Sequence, residues 1–259
     1  MNASSPAPVD CPRVSVLIPA QDEEKSIGLV IEEIPKDWVD EIIVADNASQ
    51  DRTAEVAQQF GAKVVPEPNP GYGAACLAAM KAMNRPDIVV FLDGDHSDYP
   101  EDLPKLLAPI LENRADLVIG SRTLGLAEKG SLTPQQRYGN ALATRLIRWF
   151  FGVSFTDLGP FRAVRAETLK RIGMVDRNYG WTVEMQVKAA RLGVRCTEIP
   201  VRYRKRIGVS KISGTVSGTV KAGTKILWTI FKYSILPAGA PAQPSNATLP
   251  ERSQTENRA

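Results

Sequence analysis

Cysteine is scarce in this chain and long apolar runs are absent. Only Cys11, Cys76 and Cys196 occur in 259 residues, singly and without CxxC spacing. An odd, scattered set builds neither a disulfide framework nor a zinc site, so a reducing cytoplasm is the expected compartment. No apolar run reaches the roughly 18 residues of a membrane-spanning helix. The opening MNASSPAPVD lacks both the basic and the apolar region of a signal peptide. Charge of one sign is lacking too. With 32 Lys and Arg against 29 Asp and Glu, the formal net charge of +3 is too mild to argue for a nucleic-acid partner. A glycine loop that grips phosphate is also missing. Gly71-Tyr72-Gly73 starts a GxGxxG pattern without completing it, and no GK[ST] occurs; the pair reads as a tight turn with close backbone approach.

What is present fits a soluble α/β protein, with 43% hydrophobic and 24% charged residues. Residues 1–12 and 237–259, rich in Pro, Ala, Ser and Asn, are expected to be disordered tails. From residue 13 to 122, strand-like runs (14–19, 41–45, 63–65, 87–92, 116–120) alternate with helical spacing (23–34, 52–60, 73–83, 103–113). That alternation predicts a mostly parallel central sheet with helices on both faces. Residues 123–236 are less regular. They predict a helix over 132–152, a loop around 156–161, helices over 166–172 and 182–192, a strand over 195–201 and a helix over 216–236.

The stretch VVFLDGDHSDYPEDL puts two aspartates, Asp93 and Asp95, straight after a buried strand. Ligands of open α/β sheets gather at such carboxyl ends. Two carboxylates about 5 Å apart repel by roughly 3 kcal/mol at an effective dielectric of about 20. A proton, a basic side chain or a divalent cation must offset this, and oxygen-only ligands suit Mg²⁺ or Mn²⁺. The alternative is a polar turn with Gly94 supplying a positive φ. Asp46 closes the second strand in the same way, and PAQDEE follows the first. Three acidic strand ends in one half-sheet point to a single polar crevice.

Taken together, VSVLIPAQDEE, EIIVADNASQDRTAEVA, PGYGAACLAAM, VVFLDGDHSDYPEDL and LVIGSR resemble the inverting glycosyltransferases of family 2. DLGPFRAVR, YGWTVEMQVKAA and VRYRKRIGVSK extend the match toward the branch with dolichyl- and polyprenyl-phosphate mannosyl- and glucosyltransferases. The resemblance implies one GT-A domain over residues 13–236, with a nucleotide-sugar half (13–122) and an acceptor half (123–236). It implies that Asp93 and Asp95 form a DxD motif holding Mg²⁺ or Mn²⁺ on the donor diphosphate. Pro19, Ala20, Glu23, Asp46 and Asp93 match positions that hold the nucleoside. Arg122 and Arg137 match arginines that meet an acceptor phosphate, and Arg206 and Lys211 match a basic loop over the diphosphate. Lipid-phosphate members often carry Gln two residues after the DxD; here Ser97 stands in its place. The implied partners are a nucleotide-diphosphate sugar (UDP- or GDP-linked) and a lipid-phosphate acceptor at the cytoplasmic membrane face. A soluble sugar or polyol hydroxyl is the alternative acceptor, and a non-catalytic sugar-nucleotide-binding module is the alternative of another class.

The residues bear on the chemistry by themselves as well. Arg202, Arg204 and Arg206 alternate along an extended stretch, as a phosphate-facing row or as a charged edge. Arg206 precedes residues 207–210, which read as a lid. Asp157 and Glu184 are the candidates for a catalytic base, which a hydroxyl acceptor would need and an anionic phosphate would not. Glu184 also reads as an ion-pair partner orienting a basic residue. His96, the sole histidine, reads as a packing residue beside the aspartates. Lys221, Lys225 and Lys232 share one face of the last helix. Arg145 and Arg148 lie among Leu142, Leu146, Trp149 and Phe150. Both segments suit a peripheral contact with an anionic membrane, or equally plain docking onto the sheet.

Overall fold

Alternate residues of a strand face opposite ways, and this sequence supplies apolar side chains to both faces. The computed structural model describes residues 12–208 and 216–236, so the expected tails, apart from Pro12, lie outside the described residues. Strands β1 (Val14–Ala20), β2 (Glu41–Asp46), β3 (Lys63–Pro66), β4 (Ile88–Phe91), β5 (Leu117–Ser121), β6 (Arg162–Arg165) and β7 (Cys196–Pro200) form one sheet. Their order is β3-β2-β1-β4-β6-β5-β7. Every ladder is parallel except the two made by β6, which runs antiparallel to β4 and β5.

Helices α1 (Ile27–Glu33), α2 (Thr53–Gln59) and α4 (Leu103–Leu111) cover one face. There Val16, Ile18, Val44 and Val90 meet Ile27, Ile31, Ala57 and Leu107. Helices α3 (Tyr72–Ala82), α5 (Pro134–Phe151), α6 (Ala166–Ile172), α7 (Trp181–Arg191) and α8 (Val216–Ile235) cover the other. There Leu17, Ile43, Phe91 and Ile119 meet Ala75, Ile147, Leu169, Val183 and Ile230. The alternation of β1 and β4 between these cores fixes their register, because a one-residue slip would exchange the faces.

One strand goes beyond the sequence reading, and one helix boundary is corrected. The segment after the 156–161 loop is strand β6, hidden because RAVR carries an arginine at each end. Arg162 is fully buried there, and its guanidinium donates to the carbonyls of Gly159 and Thr182. Burial pushes that arginine down to about 10, since no carboxylate pairs with it directly. The first helix starts at Ile27 rather than near Glu23. Residues 23–26 form a turn in which the amides of Ser26 and Ile27 bond the Glu23 carbonyl, which leaves Glu23 at the strand-end edge.

Helix α8 packs one face into the core and leaves another in solvent. Ala222, Thr229, Ile230 and Tyr233 are buried, while Val220, Leu227, Trp228, Phe231 and Ile235 stay exposed. Among the described residues no helix is long and apolar enough to cross a membrane.

Candidate active site

Parallel strands end on one edge, so the polar residues that follow β1, β2 and β4 converge. A cleft of about 640 Å³ opens there. Pro19, Ala20, Glu23, Asn47, Asp93 and Asp95 line one side, and Arg122, Tyr138, Asn140, Trp181 and Ile226 line the other. Arg206 reaches in from the segment after β7, its Nη1 2.9 Å from Asp95 Oδ2.

The aspartate pair is held from several sides. Asp93 Oδ1 accepts from the Tyr72 hydroxyl at 2.9 Å. Asp95 Oδ1 accepts from the Ser97 amide at 2.9 Å and from the Ser97 hydroxyl. Burial, then the charge of Asp95, pushes the Asp93 carboxyl up to about 7. Asp98 is buried as well, and neither of its carboxylate oxygens has a partner among the described residues. Burial and the charges of Asp93 and Asp95 hold Asp98 well above the usual carboxylate range. The left-handed residue of this turn is His96 (φ 63), not Gly94. Gly94 is needed for space instead, since a Cβ there would stand 3.3 Å from that of Ala20. His96 turns away to Glu33, with Nε2 2.9 Å from Oε1.

The alternating arginines divide their work. Arg202 binds Asp102 and Glu101, Arg204 binds Glu33 and the His96 carbonyl, and both stack on Tyr99 with 4.3 Å to the ring centroid. Arg206 alone meets the aspartate pair. The first two fix the segment against the turn after β4, and that contact aims the third.

The acceptor-half candidates lie differently. Arg122 lines the cleft, but its Nε and Nη2 form a two-pronged pair with Asp157 at 2.8 and 2.7 Å, and its ring-facing side lies 5.1 Å from the Tyr203 centroid. Burial would lower this arginine, yet Asp157 holds it above its ordinary value. Asp157 is 1% exposed and off the cleft wall, so its oxygens serve Arg122. Glu184 is also 1% exposed and off that wall; it accepts from the amides of Val175 and Asp176, the Tyr233 hydroxyl and Lys188. Arg137 is exposed on the first turns of α5, beside cleft residues but not among them. Asp46 closes β2 with Oδ1 buried and unpartnered among the described residues. Lys211 and residues 209–210 of the expected lid lie outside the described residues.

The sequence model described as glycosyl transferase family 2 matches residues 15–173. The chain is a family 2 glycosyltransferase. An uncharacterized glycosyltransferase of Mycobacterium tuberculosis is 39% identical to it over 211 residues, covering 81% of this chain and 94% of the relative. A dolichyl-phosphate hexose transferase of Haloferax volcanii is 33% identical over 208 residues, covering 79% and 89%. The crystal structure of glucosyl-3-phosphoglycerate synthase from Mycobacterium tuberculosis in complex with Mn²⁺, UDP-glucose and phosphoglyceric acid superposes with a TM-score of 0.70. It is 25% identical and covers 88% of this chain and 81% of that one. The glycosyltransferase therefore has the GT-A fold and belongs with hexose-transferring enzymes.

The donor set of this glycosyltransferase fits a divalent cation. Asp93 and Asp95 face the cleft, with Asp98 buried close enough to raise their mutual repulsion, and oxygen is the only donor element the pair offers. Among the described residues no three His, Cys, Asp or Glu side chains converge as a full cage. A cation there would complete its shell with phosphate oxygens and water, as Mg²⁺ and Mn²⁺ sites on nucleotides do. Sequence reasoning missed Tyr72, Asn47 and Asp98. Tyr72 was hidden between Gly71 and Gly73, whose added Cβ atoms would meet the carbonyl oxygens of Arg177 and Asp176 at 2.2 and 2.0 Å. The close approach was legible in those glycines; which hydroxyl it delivers to Asp93 was not. Asn47 clamps the next loop, its side chain bonding the backbone of Glu67, Asn69 and Gly71.

Proposed function

We propose that this glycosyltransferase moves a hexose, with inversion, from a UDP- or GDP-linked sugar to a polyprenyl or dolichyl phosphate at a membrane surface. Asp93 and Asp95 would hold Mg²⁺ or Mn²⁺ on the donor diphosphate, and that cation would stabilise charge on the departing nucleotide. Pro19, Ala20, Glu23 and Asp46 edge the nucleoside end. Arg206 neutralises Asp95 in the free enzyme and stands ready to trade it for a phosphate oxygen. Lys211 extends the same basic segment. Arg122, oriented by Asp157, is the cation for the acceptor phosphate, with Arg137 at the rim.

One observation carries the choice of acceptor. Among the described residues every carboxylate lining the cleft (Glu23, Asp93, Asp95) is on the nucleotide side. The acceptor side presents Arg122, Tyr138, Asn140 and apolar groups from α7 and α8, and Asp157 and Glu184 are engaged elsewhere. A hydroxyl acceptor needs a base to take its proton; a phosphate acceptor arrives as an anion and needs a cation. The exposed apolar residues of α8, beside Ala222 and Ile226 on the cleft wall, support delivery from a lipid surface. The test is transfer from radiolabelled UDP-glucose and GDP-mannose with Mn²⁺, offered undecaprenyl phosphate in detergent or 3-phosphoglycerate. Label should pass to the organic phase. Transfer to phosphoglycerate alone would replace the lipid acceptor with a soluble one.

A further inference from the structure

A second cavity, of about 330 Å³, lies between the loop before α7 and helix α8, and shares no lining residue with the donor cleft. Each of its two carboxylates has an ion-pair partner, one on the wall and one buried off it. Asp176 pairs with Lys225 at 2.8 Å, and Glu184 pairs with Lys188 at 2.8 Å. Two further cations remain. Arg177 on the wall is 57% exposed and comes no nearer to Glu67 than 3.9 Å. Lys232, also on the wall, is exposed and lies 5.3 Å from the Tyr233 ring centroid, with no carboxylate in ion-pair range among the described residues. The wall therefore carries three cations against two carboxylates, Arg177 being held only by the long pair with Glu67.

The same helix turns apolar groups outward beside this charge. Trp228 lines the cavity and is 56% exposed, and Leu227 and Phe231 stand exposed on α8 next to it. A soluble anion would satisfy the cations and leave the aromatics in water. An apolar protein partner would cover the aromatics and bury unmatched charge at a cost. A ligand with an anionic head and an apolar body meets both demands, and Trp is suited to that boundary.

We propose that this cavity seats the phosphate headgroup of an anionic membrane phospholipid, with α8 lying along the membrane surface. The proposal gives the membrane contact of the preceding reading a defined face, and it does not require that the acceptor be a lipid. The site adjoins the donor cleft through its wall. The Arg177 carbonyl accepts from the Ala74 amide at 2.9 Å at the start of α3, one residue from Gly73 and two from the Tyr72 that binds Asp93.

The test is flotation of the full chain with vesicles free of polyprenyl phosphate, made of phosphatidylcholine alone or with phosphatidylglycerol. Binding is expected only to the anionic vesicles and should weaken with added salt. At about 1 kcal/mol per surface cation, Lys232→Gln should weaken partitioning about fivefold and the Arg177→Gln/Lys232→Gln double variant about thirtyfold. Trp228→Ala should weaken it further with an unchanged circular dichroism spectrum. Arg114→Gln, exposed after α4 on the opposite layer, should bind as the native chain does. Equal binding to both vesicle types, no binding to either, or a double variant that binds normally overturns the proposal. So does a Lys232-dependent rise in Tm with inorganic phosphate in a chain that ignores vesicles, which would make this a soluble-anion site. Donor and acceptor are absent throughout, so failure here leaves the transfer reading standing, and failure of transfer leaves this one standing.

Discussion

The donor half and the acceptor half handle charge in opposite ways. In the donor half, Glu23, Asp93 and Asp95 line the cleft, and Asp98 sits buried behind them without a partner among the described residues. On the acceptor side, Asp157 and Glu184 are closed inside ion pairs, and among the described residues the cations on the cleft wall are Arg122 and Arg206. Carboxylates crowded together in a buried corner suit a cation, because burial and their mutual repulsion otherwise favour protons on them. A satisfied ion pair orients its members and is costly to break. On this comparison, substitutions in the first half should act on chemistry and those in the second on stability.

The largest effect is expected from Asp95→Asn. It keeps the shape and the Ser97 bonds while halving the charge offered to a cation, so transfer should fall about a thousandfold or more. The stabilisation of the protein by UDP with Mn²⁺ should vanish as well, while Tm in the absence of both should move little, because the lost Arg206 pair is offset by relief of the repulsion from Asp93. Turnover close to native in this variant would remove the metal role and erase the contrast between the halves.

Next come the two closed carboxylates. Asp157→Ala strands the guanidinium of Arg122, which is 14% exposed, so a loss of about 3 kcal/mol is expected. For a chain of this size that is a fall of roughly 10 °C in Tm. Glu184→Gln keeps part of its hydrogen bonding and should cost less, with turnover within about tenfold of native. If Glu184→Gln keeps its Tm and loses transfer altogether, Glu184 is a base and the acceptor is a hydroxyl, as in the alternative reading. The same loss in Asp157→Ala also follows from a misaimed Arg122.

The same contrast explains what could be read from the sequence. In the donor half β2 and β4 are apolar runs closed by an aspartate, so Ile88–Phe91 and the aspartates beyond it identify themselves. Repeated parallel units also fix where those strand ends go. Strand β6 has no such run: it is two buried arginine-flanked residues inserted between β4 and β5, visible only once both neighbours exist. Arg122, the partner of Asp157, lies 35 residues away, and Glu184 adds to its helix neighbour Lys188 the hydroxyl of Tyr233, 49 residues away. Side-chain type told which residues could be bases; three-dimensional pairing tells which are occupied.

The smallest effect sharpens the seam where the halves join. Asp116, just before β5, takes a two-pronged bond from Arg195 at 2.9 and 2.7 Å and lies 3.2 Å from Arg165. The hydrogen bond from Arg195 holds its carboxyl below the usual range. A depressed carboxylate contributes stability above its unfolded pKa and loses it as pH falls through the folded one. Arg195 is 50% exposed, so solvent screens the pair, and Asp116→Asn should cost no more than about 1 kcal/mol at neutral pH. That is a shift of roughly 2–4 °C, which should shrink to nothing in acid as the native Asp116 takes up its proton. Thermal melts of both chains across that range decide it. A gap that persists in acid would mean that Asp116 acts through shape rather than charge, and that the seam is packed rather than ionic.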